Sequence, residues 1–316
     1  MARKVKILPT SRVGVAPLAE MVHQLRSFVP GWEDTAAHPE RGGSRVDLRE
    51  DLEHLVHHDA DGLLVASHGS EVVGFIGSFV RSRYLLISQL WVLPEYLGEE
   101  VGPALFRRAL QFGERSGTRN VLFQALTPWQ LALGLQFSLS PLFPLLRLQL
   151  STEQAQVLGH NLARLLPSAE VTSEAVSRRA FFSDLERLDR LGRGFARPLD
   201  HEYWLFSRNF RLAVVREGER ITAYAYGGAG QCGPVVGATE ASALAALGWA
   251  LEFAVSSSPF TSTTEDRTVE LMLPTTFGKA VDHVMGAKPQ VLATSLWLAN
   301  ENFRFAHFVP GSFSLF

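Results

Sequence analysis

The stretch from Tyr84 to Gln124 constrains the fold of this chain most, because it predicts a strand, a turn, a helix and a second strand in direct succession. An apolar run rich in β-branched and aromatic residues is followed by the breakers Pro94 and Gly98. Four apolar residues then recur at the spacing of one helical face: Val101, Leu105, Ala109 and Phe112. Gly117 stands where a left-handed helix cap belongs, and Val121 to Phe123 predict a short buried strand.

The start of this predicted helix is the one ligand-binding feature of the unit. The N–H groups of a first helical turn have no acceptor within the helix, and they lie at the positive end of the helix dipole. The turn before the helix therefore predicts an anion-binding site.

The turn reads V-x-P-E-Y-x-G-x-x-V-G-x-A-L over residues 92–105. This pattern resembles the acyl-CoA pyrophosphate loop of the GCN5-related N-acetyltransferase (GNAT) superfamily. The resemblance implies that a bulged strand pairs with the pantetheine arm through its backbone, and that the loop amides hold the pyrophosphate. It implies acyl-CoA contacts at eight positions: Leu90, Val92, Gly98, Glu99, Glu100, Val101, Gly102 and Ala104.

The chain departs from the family pattern at several places. The family's loop usually reads Arg or Gln, two residues, Gly, one residue, then Gly or Ala; here those places hold Leu97, Glu100 and Gly102. The family often has a general-base Glu three residues before the valine of the pattern, where this chain has Gln89. The general-acid Tyr of the family would fall on Gly134. The sequence therefore assigns no catalytic acid or base.

Carboxylates near the turn bear on both binding and catalysis. Glu99 and Glu100 favour a helix N-terminus by a few tenths to ~1 kcal/mol, but they repel phosphates if they face them. Pro103 removes one N–H donor. Four carboxylates are alternatives for the missing base: Glu33, Asp34, Glu95 and the C-terminal carboxylate of Phe316.

Length and composition place the chain among ordinary globular proteins. Its 316 residues predict two domains, and 46% hydrophobic with 20% charged residues give ample core. A net charge of −2 gives no reason to expect nucleic acid or an anionic membrane as partner. Cys232 is the single cysteine, which excludes an internal disulfide. With neither a signal peptide nor a membrane span in the sequence, we expect a cytoplasmic protein.

The order of the predicted elements indicates an α/β fold with mixed sheets. In the first half the order is β-α-α-β-β-β-α-β, which is the core order of the GNAT family. The second half repeats the plan: a hairpin over residues 212–226 is followed by a strand, a turn and a helix from Thr239 to Val255. The turn, Gly237-Ala-Thr-Glu, has neither a glycine pair nor a basic residue, so it predicts a capped helix start and a poor phosphate cradle.

We therefore predict two tandem GNAT-like folds, over residues 1–150 and 151–316, of which the second is degenerate. The second begins with a linking helix over residues 151–166, whose first residues, Ser151-Thr-Glu-Gln, predict a capping box. Residues 142–150 are predicted to close the first sheet, and residues 290–299 and 303–308 to close the second. The layout is similar to that of tandem acetyltransferases such as mycothiol synthase.

Three groups of residues admit two interpretations. His54, His57 and His58, followed by two aspartates, could ligate a metal, but they also fit an ordinary polar helix end, and we predict no metal site. The segment Trp32-Glu-Asp could contact an acceptor or form a solvated loop. Cys232 could be a nucleophile, but its apolar neighbours favour a small strand residue.

The resemblance implies an acyl-CoA-dependent N-acetyltransferase that acts on a small amine, with acetyl-CoA or another acyl-CoA held by the first domain. The alternative is a catalytically degraded tandem protein that binds acyl-CoA or another apolar ligand, or serves as a scaffold. Thioester transfer needs a deprotonated amine, a polarised carbonyl and a protonated leaving thiolate. The strand amides near Leu90 to Val92 are candidates for polarising the carbonyl.

Overall fold

The computed structural model describes residues 5–26, 29, 44–167, 170–172, 181–256, 268–303, 305–312 and 314–315. The chain divides into two compact units. The first consists of Met1–Leu142 with Ser295–Asn302, and the second of Phe143–Thr294 with Phe303–Phe316. The segment Trp32-Glu-Asp and the residue Phe316 lie outside the described residues. Among the helices of the described ranges, none combines the length and the hydropathy that a membrane-spanning segment requires.

The elements before residue 140 follow the predicted order. They are β1 Lys6–Pro9, α1 Val15–Arg26, α2 Ser44–His58, β2 Leu63–His68, β3 Glu71–Arg81, β4 Tyr84–Val92, α3 Val101–Arg115, β5 Asn120–Ala125 and α4 Pro128–Gln136. Helix α3 ends as the sequence predicts, because Gly117 has a φ of 80° and the Thr118 N–H donates to the Gly113 carbonyl.

From residue 140 onwards the elements repeat this plan. They are β6 Ser140–Ser151, α5 Thr152–Ala163, β7 Glu170–Thr172, α6 Phe182–Arg193, α7 Pro198–Glu202, β8 Arg211–Glu217, β9 Arg220–Gly228, β10 Gln231–Gly237, α8 Glu240–Ser256, β11 Thr268–Pro274, α9 Gly278–Gly286, β12 Gln290–Ala299 and β13 Phe308–Val309. The predicted capping box is present at the start of α5, where Ser151 and Gln154 cap each other's main chain.

The two units have the same sheet topology. In the first, β1, β2, β3 and β4 pair antiparallel in sequence, and β4 pairs parallel with β5. In the second, β7, β8, β9 and β10 pair antiparallel in sequence, and β10 pairs parallel with β11. Identical pairing in both units supports the internal duplication that the order of elements predicts.

The closing strands differ from the prediction. Residues 142–150 were expected to close the first sheet, but in β6 residues 145–151 pair antiparallel with β11 of the second unit. The first sheet is instead closed by Leu296–Ala299, the end of β12, which pairs antiparallel with β5. Asn300 secures this strand, since its side chain bonds the Val121 N–H and the Arg119 carbonyl. The unit boundaries therefore lie at 142/143 and around residues 295–302, and the prediction of a single boundary after residue 150 misses this exchange.

Each unit has its own apolar core. In the first, α3 packs its predicted face on the sheet through Leu105, Ala109 and Phe112. In the second, α8 is buried along most of its length, with Leu247, Ala250 and Leu251 in the core. The spacing of Leu185, Leu188 and Leu191 in α6 predicts that all three point inward; Leu185 and Leu188 are buried, but Leu191 is 55% exposed, so the prediction for Leu191 is wrong.

Candidate functional site

The sheet of the first unit forks where β4 leaves β5. The parallel pairing runs from Tyr84 and Asn120 to Ile87 and Phe123 and stops there. At this point β4 has a bulge, because Ile87 pairs with Ser78 while Gln89 already pairs with Gly77. Ser88 is the inserted residue, and a bulge of this kind bends a strand and ends its pairing.

The backbone groups that face the fork belong to Leu90 and Val92. The N–H of Leu93 donates to the Val73 carbonyl on β3, whereas the Leu90 carbonyl points away from β3. N–H and C=O groups of successive strand residues point to opposite sides, so Leu90 and Val92 share an orientation. Both are candidate contact positions from the sequence, and the structure places their amides on the side where β5 is missing.

Gln130 of α4 spans the fork. Its Nε2 donates to the Leu90 carbonyl at 2.6 Å, and its Oε1 accepts from the N–H groups of Leu126 at 2.6 Å and Thr127 at 3.1 Å. The residue is 1% exposed. It therefore joins β4 to the loop after β5 and sets the width of the gap. Gln130 is not among the site residues predicted from the sequence, although T-P-W-Q is the capping-box signature that α4 forms.

Helix α3 begins directly beyond the fork. Within the described residues, no hydrogen-bond acceptor faces the main-chain N–H groups at four of the predicted contact positions: Gly98, Glu100, Val101 and Gly102. Gly98 has a φ of 84°, in the left-handed region that favours glycine. The turn is anchored by Tyr96, which is buried and whose hydroxyl lies 3.2 Å from His68 Nδ1.

Glu100, the residue directly before α3, does not cap this helix with its side chain. The Glu100 side chain makes no capping hydrogen bond, and its Oε2 accepts from Arg107 Nη2 at 2.8 Å. Both side chains are at least half exposed. Glu99 is partly buried. The Glu100 side chain therefore leaves the N–H groups of the first helical turn accessible to an anion.

Three further residues of the turn and the helix start are Leu97, Gly102 and Ala104. A Cβ on Gly102 would lie 3.4 Å from the Trp129 ring and 3.9 Å from Val92 Cγ2, so the helix start packs closely on α4 and β4. Ala104 is half-buried, and its N–H donates to the Glu100 carbonyl, so it is not available to a ligand. Leu97, where the family has a basic or amide side chain, is 41% exposed.

The expected positions of the acid and base contain no titratable group. Gln89 is buried, and its Oε1 accepts from the Trp91 indole N–H at 2.6 Å. Gly134 has no room for a ring, because a Cβ there would lie 3.1 Å from Leu298 and 3.2 Å from Phe123. Glu95 is exposed on the turn. Glu33, Asp34 and Phe316 lie outside the described residues.

The fork of the second unit is filled by the chain itself. Strand β10 pairs parallel with β11 only at Gln231 and Cys232, and a bulge follows before Val235. Beyond the bulge, Val235 and Val236 pair antiparallel with Val309 and Phe308 of β13. The Gly237 N–H also donates to the His307 carbonyl at 3.0 Å. Gly237 takes the place of Val92, so an extended backbone occupies here the gap in which the described residues of the first unit place no strand.

The helix start of the second unit is capped by its own residues, as the sequence predicts. Thr239 Oγ1 accepts from the Ser242 N–H at 3.2 Å, and the Thr239 N–H donates to Ser242 Oγ at 3.2 Å. The Ala238 N–H donates to the Thr222 carbonyl. The amides before α8 are therefore engaged and do not offer an anion site comparable to the one before α3.

A buried charged network in the second unit was missed by the sequence analysis. Asp189 accepts from Arg197 Nε at 3.2 Å, lies 3.0 Å from His201 Nε2 and accepts from the Tyr224 hydroxyl. The His201 Nδ1 lies 2.9 Å from the Tyr226 hydroxyl. The signal in the sequence is the four-residue spacing of Asp189, Arg193, Arg197 and His201.

Burial governs the charges of this network. Burial alone would raise the pKa of Asp189, but the charge of Arg197 and the hydrogen bond of His201 outweigh it and hold the pKa at about 2. Burial, followed by the charge of Arg197, lowers the pKa of Arg193 to about 9. Arg193 lies over the Phe195 ring, 4.2 Å from its centroid. Because the side chains of Asp189, Arg197 and His201 are fully buried, this network is structural.

The other chemical candidates from the sequence do not form a site. Among the described residues, no group of three His, Cys, Asp or Glu side chains is placed to hold a metal. His57 and His58 are exposed. Partial burial of the His58 ring, followed by the charges of His54 and His57, lowers the pKa of His58. Cys232 is a buried strand residue whose thiol pKa is raised by burial, so it lacks the thiolate character of a nucleophile.

Known proteins similar to this chain agree with the geometry of the first unit. Residues 24–132 match the model of the acetyltransferase (GNAT) family. An uncharacterized N-acetyltransferase of Archaeoglobus fulgidus is 34% identical over 73 residues, which are 21% of this chain and 50% of that protein. The chain therefore spans about half the length of this curated relative.

Solved structures show the same fold over the whole chain. A putative acetyltransferase from Pyrococcus horikoshii superposes with a TM-score of 0.68 at 14% identity, covering 100% of this chain and 97% of that chain. A tandem GNAT protein from the clavulanic acid biosynthesis pathway superposes with a TM-score of 0.52 at 12% identity, covering 94% and 98%. The α/β fold of two tandem GNAT-like units is thus confirmed.

Proposed function

Since residues 24–132 belong to the acetyltransferase (GNAT) family, we propose that the first unit binds an acyl-CoA at the fork between β4 and β5 and transfers its acyl group to a small amine. We further propose that the protein acts in the cytoplasm, since a single, buried cysteine fits a reducing compartment.

The contrast between the two forks carries this proposal. In the second unit the gap is filled by residues 307–309, which bond β10 through main-chain groups. Pantetheine is a narrow chain with two amide groups, so it can pair with a strand edge in the same way as a peptide. Among the described residues no strand fills the fork of the first unit, where the N–H groups of Leu90 and Val92 face the gap, and α3 begins beyond it with amides that have no acceptor there and suit a pyrophosphate.

The proposed chemistry needs little from side chains at the reacting centre. A strand amide such as that of Val92 can donate to the thioester carbonyl and stabilise the charge that develops on its oxygen. With Gln89 at the usual place of the base, the amine loses its proton to solvent before it attacks. The rate is then expected to follow the fraction of unprotonated amine.

A second candidate function is binding without transfer. The specific observation in its favour is that Gln89 and Gly134 occupy the places of the family's base and acid. A protein that holds acyl-CoA and releases it unchanged would keep the fork and the helix start but would need neither group.

Calorimetric titration with CoA and with acetyl-CoA tests binding. A ligand at a hundred times its dissociation constant should stabilise the folded chain by ~2.7 kcal/mol, which thermal unfolding detects independently. Thiol release from acetyl-CoA in the presence of amines then separates transfer from binding. Heat of binding without thiol release supports the second candidate, and the absence of any binding contradicts both.

Replacing Glu100 with glutamine should tighten CoA binding about two- to fivefold. The variant removes a carboxylate from the helix start where the phosphates are proposed to lie and releases Arg107, and exposed charge interactions are worth up to ~1 kcal/mol. Titration calorimetry at low and high salt measures the effect. The control is Glu114→Gln, an exposed carboxylate at the far end of the same helix, which should leave the affinity unchanged. Equal affinities for both variants would place the pyrophosphate elsewhere.

A further inference from the structure

Two buried polar atoms at the apex of the fork have no hydrogen-bond partner in the described part of the chain: Ser88 Oγ and Gln124 Oε1. Each residue is 2% exposed. A buried polar atom without a partner is rare and costly in folded proteins, and it is often explained by a missing water or ligand. Here two such atoms lie at one place, beside the proposed acyl site.

Both residues directly follow the last pair of the register between β4 and β5. Ile87 and Phe123 form the last pair between β4 and β5, and Ser88 and Gln124 are the next residue on each strand. The side chains of Ile87 and Phe123 belong to the core beneath α3. Because side chains alternate along a strand, that of Gln124 points to the face of the sheet opposite α3. Ser88 lies in the bulge between Ile87 and Leu90, which both belong to the core beneath α3, and Ser88 itself is not part of that core.

The orientation of the Gln124 amide is set by a neighbour. Its Nε2 donates to Ser295 Oγ at 2.9 Å, and Ser295 is itself buried on the adjacent strand β12. The carbonyl oxygen Oε1 is the group left over. It can only accept a hydrogen bond, whereas the Ser88 hydroxyl can accept or donate.

We propose that Ser88 and Gln124 hold the nitrogen of a primary amine acceptor. This inference rests on the proposed acyl transfer and adds the acceptor class and the residues that select it. An unprotonated primary amine has two N–H donors and one lone pair. It donates one N–H to Gln124 Oε1 and the other to Ser88 Oγ, and its lone pair remains free to attack.

Other nucleophiles fit less well. A secondary amine or an alcohol has one donor and leaves one of the two acceptors unpaired, and an ammonium ion has no lone pair. In the transfer, the nitrogen lone pair forms the bond to the acyl carbon while the carbon–sulfur bond breaks and its electron pair goes to sulfur. The proton released by nitrogen reaches the sulfur through solvent, giving an amide and free CoA.

The experiment measures thiol release from acetyl-CoA with benzylamine, tyramine and glycinamide, and with their N-methyl forms. The wild-type protein should prefer each primary amine over its N-methyl form. Ser88→Ala should raise the KM for the primary amine about three- to tenfold, leave the KM for acetyl-CoA unchanged and reduce the preference for the primary form. Gln124→Glu, which keeps an acceptor at this position, should retain that preference.

Controls separate this role from a structural one. Thr10→Val removes another buried hydroxyl of the same unit that lacks a partner in the described residues, and it should leave both KM values unchanged. Ser88→Ala should not lower the melting temperature, because the hydroxyl it removes has no bond in the ligand-free protein. An unchanged amine KM in Ser88→Ala, or thiol release with none of the primary amines, overturns the assignment. Calorimetric CoA binding in the same preparations shows whether the acyl site itself is intact.

Discussion

Asp189→Asn should destabilise the second unit by about 3–5 kcal/mol, because it removes the anion from a fully buried network that contains Arg193, Arg197 and His201. The variant keeps the size of the side chain, so the loss reports the uncompensated positive charge of the arginines and not a cavity. Urea unfolding followed by tryptophan fluorescence measures it, since Trp204 lies over Arg197.

The matched control is Asp184→Asn on the same helix. Asp184 also bonds an arginine, Arg187, but both side chains are more than a third exposed. An exposed pair of this kind is worth at most ~1 kcal/mol. Similar losses of unfolding free energy in the two variants would mean that the buried network contributes no more to stability than a surface ion pair.

The same carboxylate gives a pH dependence with a defined sign. The pKa of Asp189 is about 2, below the ordinary value of 3.8, so folding favours its ionised form. Its contribution to stability is complete above about pH 4 and is lost as the pH falls through 2. The difference in free energy of unfolding between wild type and Asp189→Asn should therefore shrink over this window. A constant difference down to pH 2 would contradict the depressed pKa.

Gln130→Leu is expected to cost about 2–4 kcal/mol of stability and to weaken CoA binding. Leucine has a similar size but leaves the buried Leu90 carbonyl and the N–H groups of Leu126 and Thr127 without their partner. The two sides of the fork are then no longer held at a fixed distance, so the strand edge that we propose pairs with pantetheine is less well ordered. Denaturant unfolding and CoA calorimetry measure the two effects.

Gln154→Leu is the control for the cap itself. Gln154 occupies the same place in the capping box of α5, where its bonds are largely exposed to water. Loss of such a cap costs ~1 kcal/mol, and this variant should not change CoA binding. A Gln130→Leu variant that is no less stable than Gln154→Leu would show that the bridge across the fork contributes nothing beyond a helix cap.

Local sequence patterns predicted most elements of the fold correctly. The Gly117 cap, the Ser151-Thr-Glu-Gln capping box and the Thr239 helix start each depend on residues within a few positions of one another, and the structure has all three. The turn before α3 was also identified from its own residues. What these predictions share is that the hydrogen bonds form between near neighbours in the chain, so the sequence around them is sufficient.

The exchange of closing strands was not predictable in this way. Both β6 and β12 are apolar strands, and each could close either sheet as far as its own pattern shows. Which sheet takes which strand depends on pairing between residues more than a hundred positions apart, as with Leu148 and Leu271. The buried network around Asp189 has partners at shorter separations, but they lie on separate elements, so their regular spacing in the sequence does not by itself show that they meet.

The amino-acid sequence by itself determined the duplicated plan, the position of the turn before α3 and the absence of the family's acid and base, because these depend on local propensity and residue identity. Only the tertiary structure decided which fork holds a further strand. In the described residues the two forks differ in whether a distant segment, residues 307–309, pairs with the strand edge in the gap. The tertiary structure also decided that Glu100 bonds Arg107 and that Gln130 bridges the gap, because such contacts depend on where the packed elements bring side chains together.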